Sequence, residues 1–264
     1  MQSLYFYLQR ALVAAFLAIG VASSTHAAVT ITLDPFARGT YNHFGSGTRS
    51  ESANYFAGYI VGFYPPPLDP LVFRNYFMFD VGRAIDTFFP SAKRIIAATL
   101  VIDNWNTHLG FAIPPEAEWG GSDIAYWLYD VTTPPGDFHP GTTSTAIFND
   151  LGSGTAYYDG GFLVREAGNR LVIHLNDAAL LELNSDLHDN VFIVGGSIDN
   201  FGIPHPFIPS VTTGLFGGSG SDPFDGHSFN TQLIIAVVPA PSTLLLLAVG
   251  FVGFLVQRRK QSNS

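Results

Sequence analysis

Short runs of alternating hydrophobic and polar residues fill most of the chain, and Gly and Pro separate one run from the next. The runs are rich in Val, Ile, Thr, Tyr and Phe, and alternation with a period of two is typical of β-strands. This spacing of strands and turns favours an all-β sandwich or barrel. Eleven strands are predicted, over residues 29–33, 40–44, 55–63, 72–80, 95–103, 124–131, 155–158, 162–164, 170–174, 191–197 and 231–237.

The strongest strand pattern surrounds Phe77. Phe77 and Phe79 share one face of this strand, and Tyr76 and Met78 share the other, because successive side chains of a strand point to opposite faces. Both faces carry large apolar groups, so we expect a central strand. The next apolar run, at 95–102, is almost continuous and indicates a second buried strand. The pair resembles a pattern in the jelly-roll domains of exported proteins and in some carbohydrate-binding-like modules.

One short helix is predicted, from a cap at Asn176 or Asp177 through Leu183. Leu180, Leu181 and Leu183 fall on or near its buried side. No other segment has a helical pattern. The predicted fold class is therefore all-β, a single jelly-roll-like β-sandwich with one short helix.

Two further expectations concern the packing of the body. Trp127 and Tyr129 share one face of the strand at 124–131 and are predicted to lie in the core. Residues 200–227 are rich in Gly, Pro and Ser, and they are predicted to form a long surface loop before the last strand.

The C-terminal end has a different pattern. A turn that contains Pro239 and Pro241 precedes an uncharged apolar run at 243–256, and three cations follow at 258–260. The prolines cannot continue a helix, so they separate the body from the apolar segment. The cations resist translocation and hold the C-terminus in the cytoplasm.

These residues resemble the PEP-CTERM sorting signal of Gram-negative bacteria, in which a Pro-Glu-Pro tripeptide, an apolar helix and an Arg-rich end are handled by an exosortase. Ala240 stands where the family usually has Glu. The resemblance implies a single transmembrane sorting helix, an exosortase-like processing enzyme as partner, and export through the inner membrane to the cell envelope, cell surface or extracellular matrix. The matching residues are Val238, Pro239, Pro241, Ser242, Thr243, Arg258, Arg259 and Lys260.

The N-terminal pattern predicts a secretory signal peptide. Arg10 precedes an apolar run at 11–22, and Thr25 and Ala27 occupy the small-residue positions of a cleavage site after Ala27. The run is short beside the roughly 20 residues that a membrane span needs. The chain is thus divided into a signal peptide (1–27), one β-sandwich ectodomain (28–237) and a sorting segment (238–260).

The ectodomain is strongly acidic. It holds all 21 Asp and Glu residues but only eight of the 12 Lys and Arg residues, which gives a formal net charge of −13. We do not expect such a body to bind nucleic acid or anionic lipid, whose phosphates would repel it. The sequence has no cysteine, which excludes a Cys-ligated zinc site and a thiol nucleophile.

Motifs for covalent or phosphoryl chemistry are missing from the sequence. It has no Gly-x-Ser-x-Gly and no phosphate-binding Gly-Lys-Ser/Thr loop. The seven histidines of the ectodomain are scattered singly, without a pair at helical i, i+4 spacing. The protein is therefore predicted to have no catalytic activity.

An alternative is an envelope glycoside hydrolase or lyase that uses paired carboxylates. Glu116 and Glu118 would point the same way in an extended chain, and the neighbouring Trp119 could stack on a sugar. A solvated loop whose Trp covers the edge of the sandwich explains the same residues.

Oxygen-rich turns are the candidates for a metal site. Asp186 and Asp189 belong to one turn, and Asp222 and Asp225 belong to another. Calcium takes about six to eight oxygen ligands, and neither turn completes the Asp-x-Asp-x-Asp-Gly loop with its distal Glu. Asn and Asp also favour turns without an ion. No cofactor is predicted, and calcium stays an open alternative.

Exposed aromatic faces beside amide and carboxylate groups would suit a glycan. Trp105, which lies in Asp-Asn-Trp-Asn at a strand end, and Trp119 are the candidates, although burial is the more common fate of tryptophan. The predicted function is that of an exported, non-catalytic protein of the cell envelope or extracellular matrix, with extracellular polysaccharide as the partner class. A purely structural surface protein is a third alternative.

Overall fold

The computed structural model describes residues 28–49, 55–60, 71–90, 92–103, 125–139, 141, 143–158, 162–163, 170–185, 187–188, 190–199, 212–217 and 231–239. The strands are β1 (Val29–Leu33), β2 (Ala37–Asn42), β3 (Tyr55–Ile60), β4 (Leu71–Asp80), β5 (Ala92–Asp103), β6 (Ala125–Asp130), β7 (Phe162–Leu163), β8 (Arg170–His174), β9 (Val191–Asp199), β10 (Thr212–Gly217) and β11 (Thr231–Pro239). The helices are α1 (Val81–Phe88), α2 (Thr145–Asp150) and α3 (Asp177–Leu183), with a 3-10 turn at Pro135–Asp137. Among these residues, no helix has the length and apolar character needed to cross a membrane.

The strands form two antiparallel sheets. The smaller sheet has four strands in the order β1-β11-β5-β8. The larger sheet has seven, in the order β10-β3-β4-β9-β6-β7, with β2 also paired to β4. The chain passes repeatedly from one sheet to the other, and β4, for example, continues through α1 into β5. The prediction of a mainly β body that is built from two sheets is therefore confirmed.

One apolar core lies between the two sheets. Leu100, Leu233 and Ile235 of the smaller sheet belong to the same cluster as Phe77 and Phe79 of the larger sheet, and all five are fully buried. Each such side chain contributes about 1.5–3 kcal/mol relative to leaving it exposed. This layer therefore holds the two sheets together face to face.

A second apolar cluster covers the opposite face of the larger sheet. Tyr76 and Met78 of β4 lie in it with Tyr41, Phe138 and Leu151. The ring centroids of Tyr76 and Phe138 are 4.7 Å apart, within the range that aromatic pairs favour. The prediction that β4 is central is thus confirmed, because the segment between β6 and β7 folds over its outer face.

The predicted bounds of β1 and β8 are confirmed. The predicted strand at 40–44 is displaced, since β2 begins at Ala37 and the chain turns after Asn42. The side-chain oxygen of Asn42 accepts a hydrogen bond from Ser46 N–H at 3.0 Å, and Gly45 has φ 87°. Such a φ favours glycine, so these residues end the strand.

One further strand prediction and one loop prediction are wrong. Residues 155–158, predicted to be a strand, form bends with one isolated bridge between Tyr129 and Ala156. β10, which pairs with β3, lies within the region predicted to be a surface loop. Its sequence, Thr-Thr-Gly-Leu-Phe-Gly, has little alternation, so its pairing with a distant strand decides its structure.

The helix predicted near residue 180 is confirmed as α3. The Asn176 side chain caps it and accepts a hydrogen bond from Ala178 N–H at 3.1 Å, and Leu183 is fully buried. The prediction that Leu181 lies near the buried side is wrong, because Leu181 is 75% exposed. At 3.6 residues per turn, it lies about 200° around the helix from Leu183.

The expectation of a single helix is also wrong. α1 follows Asp80, whose side chain accepts a hydrogen bond from Arg83 N–H at 3.0 Å. α2 follows Ser144, whose hydroxyl accepts one from Ile147 N–H at 3.3 Å. Asp and Ser favour helix N-termini, but eight and six residues are too few to give a clear helical period.

The prediction that Trp127 and Tyr129 lie in the core is wrong. Tyr126 and Leu128 of β6 are buried between the sheets, so Trp127 and Tyr129 point to the other face and are half-buried. Both faces of this strand carry large apolar groups. Alternation alone therefore does not decide which face meets the other sheet.

Candidate functional site

Most residues predicted to bind or react lie outside the described ranges. They are Trp105, Trp119, Glu116, Glu118, Asp186, Asp189, Asp222 and Asp225. Val238 and Pro239 of the sorting signal are described, whereas Pro241, Ser242, Thr243, Arg258, Arg259 and Lys260 are outside as well. Within the ranges that the structure describes, no three His, Asp or Glu side chains are placed to hold a metal ion.

The described part of the sorting segment belongs to the last strand of the smaller sheet. β11 lies between β1 and β5, and its Leu233, Ile235 and Val237 are fully buried in the core. Val237 lies opposite Val29 of β1 and opposite Ile95 of β5. The chain is therefore paired on both sides up to Val237.

After its last pair with β1, β11 continues along β5. Val238 lies opposite Arg94, and Pro239 lies opposite Ala92. Register shifts interrupt this pairing, which is common at the ends of strands. Proline has no N–H to donate, so a position with one partner strand is where a sheet tolerates it. The Pro-Ala-Pro tripeptide thus begins where the sheet ends.

Helix α1 reaches the same end of the protein. The carbonyl of Phe89, the residue after the helix, accepts a hydrogen bond from Ala92 N–H at 2.8 Å. This bond joins the end of α1 to the residue opposite Pro239. Phe88 is 63% exposed, and Arg94 of β5, which lies opposite Val238, is exposed as well. An aromatic ring and a cation therefore border the start of the sorting segment.

A carboxyl and phenol pair connects α3 to the core. The Tyr157 hydroxyl donates a hydrogen bond to Glu182 Oε2, and the Tyr157 ring stacks on Phe192 with centroids 5.5 Å apart. Burial raises the pKa of Glu182 and the charge of Asp130 raises it further, whereas the bond from Tyr157 lowers it. Burial also raises the pKa of Tyr157. Tyr157 is 1% exposed and Glu182 is half-buried, so the pair ties α3 to the core at the edge of the packed layer.

A second polar contact lies inside the larger sheet. The Tyr126 hydroxyl donates a hydrogen bond to Asn75 Oδ1 at 3.0 Å, and both side chains are fully buried. Gly196 lies opposite Asn75 in the β4 and β9 pair, and a Cβ there would overlap the Tyr126 hydroxyl and Asn75 Oδ1. Burial raises the pKa of Tyr126, which keeps the phenol protonated as a donor. The contact fixes β4, β9 and β6 side by side.

Comparison with known protein families identifies the C-terminal segment. Residues 237–260 match the PEP-CTERM protein-sorting motif. No curated protein matches the chain. The resemblance carried by the prolines, the apolar run and the basic end is thus confirmed. The motif implies export across the inner membrane to the cell envelope or surface, and processing by an exosortase.

Two residues at this junction were not predicted from the sequence to belong to the site. Val237 belongs to the matched motif and is buried in the sheet. The unbroken apolar run before Pro239 is the pattern that indicates this overlap. Phe88 was missed because α1 was not predicted, and nothing in its sequence neighbourhood separates an exposed Phe from a buried one.

Proposed function

We propose that this protein is a non-catalytic component of the cell envelope or extracellular matrix that associates with polysaccharide after export. The observation that carries the proposal is the sorting motif at 237–260, which continues directly from a strand of the folded body. Proteins with such a tail accompany exopolysaccharide and biofilm production, as the resemblance implies. Polysaccharide is therefore the partner class that the destination favours.

We also propose a jelly-roll arrangement for the body. When β2, β3 and β10 are set aside, eight strands remain, and numbering them along the chain gives sheet orders 1-8-3-6 and 2-7-4-5. This interleaving of first, last and middle strands supports two Greek keys, which make up a jelly roll. Lectin domains use this architecture, although a fold by itself does not assign a function.

We also propose a role in export for each end of the chain. Residues 1–27 are proposed as a signal peptide that is removed on export, and the apolar run at 243–256 as a segment that enters the membrane while the cations at 258–260 stay in the cytoplasm. This orientation places the acidic body outside the inner membrane.

Binding and cleavage of polysaccharide are separated by one experiment. The full-length protein is incubated with exopolysaccharide from cells that produce it, and both retained protein and released reducing ends are measured. Retention without new reducing ends supports the proposal. Release of reducing ends that Glu116→Gln or Glu118→Gln abolishes supports the alternative, a glycoside hydrolase. Neither retention nor release supports a purely structural role.

Two tryptophan substitutions test the proposed contact with the glycan. Trp105→Ala and Trp119→Ala are expected to weaken retention, since an aromatic face that stacks on a sugar is lost. Trp127→Phe is the matched control, because Trp127 is half-buried on β6. Equal retention by all three variants would rule out the two tryptophans as the contact.

A further inference from the structure

We propose that the end of the body around Phe88 is a membrane-contact surface, which rests on a phospholipid bilayer while the sorting segment is inserted. The surface consists of Phe88 at the end of α1 and of Arg94 and Val238, which lie opposite each other at the end of the smaller sheet. The inference rests on the proposed insertion of the sorting segment, and it adds which face of the body meets lipid.

The connection between body and membrane is too short to separate them. Pro239 still lies opposite Ala92 in the sheet, and the apolar run begins at Thr243. Consecutive Cα atoms are about 3.8 Å apart, so these four steps reach at most about 15 Å. The polar headgroup layer occupies about 5–8 Å of that distance. The end of the smaller sheet is therefore held at the headgroups.

Both chain ends leave the body at this position. Val29 lies opposite Val237, so β1 begins beside the end of β11. The proposed signal peptide, with its apolar run at 11–22, joins the chain just before Val29. The same end of the body therefore faces the membrane both before and after the signal peptide is removed.

The side chains at this end suit a bilayer surface. Phe88 is 63% exposed, and an aromatic ring at the headgroup level is favourable because its apolar face leaves water. Arg94, which lies opposite Val238 in the sheet, is exposed, and its guanidinium matches phosphate oxygens in geometry.

Two nearby carboxylates are already engaged. Asp80 caps α1 through its bond with Arg83 N–H, and Asp86 Oδ1 lies 2.5 Å from His188 Nδ1, within hydrogen-bond distance. The body as a whole is acidic, so general attraction to anionic lipid is not the driving force. The contact is proposed to depend on the Phe88 ring and on local phosphate contacts, which zwitterionic lipids also offer.

Fluorescence quenching in vesicles tests the surface. The full-length protein has no cysteine, so single cysteines carry the fluorophore. One label is placed at Thr87→Cys, beside Phe88, and the matched control at Ser46→Cys, near Phe44, which is 61% exposed. Each variant is reconstituted into phosphatidylcholine vesicles with a quencher on the headgroups.

The two labels lie at opposite ends of the larger sheet. The turn that holds Ser46 follows Asn42, which pairs with Phe73, whereas α1 follows Asp80. Phe73 and Asp80 are seven residue steps apart along β4, which is about 23 Å. We expect the Thr87→Cys label to lose most of its fluorescence and the Ser46→Cys label to keep it.

A third label separates failure of the surface from failure of insertion. A Leu247→Cys label in the apolar run is expected to respond to a quencher on the lipid tails. Without that response, the segment is not inserted, and both the proposed insertion and the membrane-contact surface are overturned. With Leu247→Cys inserted and Thr87→Cys unquenched, the surface alone is overturned.

The role of the aromatic ring is tested in the Thr87→Cys protein. Phe88→Ser is expected to reduce quenching, whereas Phe44→Ser, an equally exposed Phe at the other end, is expected to leave it unchanged. Quenching that survives Phe88→Ser would mean that the short connection alone brings this end to the lipid, which overturns the proposed contact.

Discussion

Val29 and Val237 lie opposite each other in the antiparallel pair of β1 and β11, and Val237 is fully buried. The first strand of the body therefore contacts the first residue of the sorting motif. Motif and body are joined without a linker at this point. An enzyme that processes the tripeptide after Val238 acts within a few residues of the core.

We predict that the sorting segment is absent from the mature protein. Its apolar run at 243–256 spans about 21 Å at 1.5 Å per residue, short of a hydrocarbon core of about 30 Å. Mass spectrometry of protein from the cell surface should find a C-terminus between residues 239 and 243. Ala240→Glu, which restores the usual tripeptide, is the positive control. Peptides that retain residues 244–256 would instead show a permanent anchor.

Phe77→Ala is expected to lower the free energy of unfolding by about 3–5 kcal/mol, because it leaves a cavity in the core. Phe77 is fully buried, and its ring lies 4.8 Å from that of Tyr55. Denaturant titration measures the change. Phe88→Ala is the matched control, since an exposed site should change stability by no more than about 0.5 kcal/mol. A loss below about 1 kcal/mol for Phe77→Ala would contradict the core packing.

Gly196→Ala is expected to destabilise the protein by about 1–3 kcal/mol or more, because the added methyl overlaps two buried polar groups. Those groups are the Tyr126 hydroxyl and Asn75 Oδ1. Gly136→Ala is the control, since nothing lies within 4 Å of a Cβ at that position. Thermal unfolding of both variants would show the difference, and equal melting temperatures would count against the described contact.

Glu182 is expected to make stability depend on pH. Burial raises its pKa above the ordinary 4.5, so the folded protein binds the proton more tightly than the unfolded chain does. The stability that Glu182 contributes is fully present below pH 4.5, and it is lost as the pH rises through the raised pKa of the folded protein. Denaturant titrations across this range should show a smaller decline for Glu182→Gln.

Tyr157→Phe provides the opposite test of the same pair. The bond from the Tyr157 hydroxyl lowers the pKa of Glu182, so its loss should raise that pKa and extend the decline to higher pH. Identical pH profiles for the wild type and both variants would show that the pair does not titrate as described.

Calcium is expected to raise the melting temperature if the turns at Asp186 and Asp189 or at Asp222 and Asp225 hold the ion. A ligand that binds the folded state alone stabilises it, by about 2.7 kcal/mol at 100 times its dissociation constant. Protein treated with a chelator is melted with and without added calcium. Asp186→Asn and Asp222→Asn assign any shift to one turn, and an unchanged melting temperature would remove the calcium hypothesis.

The sequence by itself determined the features that depend on neighbouring residues. Alternation predicted the bounds of β1 and the two covered faces of β4. A cap at Asn176 or Asp177 predicted the start of α3, and Asn176 is the residue that caps it. The Pro-Ala-Pro tripeptide, the apolar run and the basic end identified the sorting motif. Each of these patterns is local, because strand period, helix capping and a linear motif are all properties of adjacent residues.

Only the tertiary structure decided the features that depend on residues far apart in the chain. Pairing with β3 makes β10 a strand, and contact with the smaller sheet selects Tyr126 over Trp127 as the core side of β6. Likewise, Phe88 and Val237 reach the same end of the protein because β11 pairs with β5, which follows α1. Burial and sheet pairing are set by non-local contacts, so a run of residues cannot specify them alone.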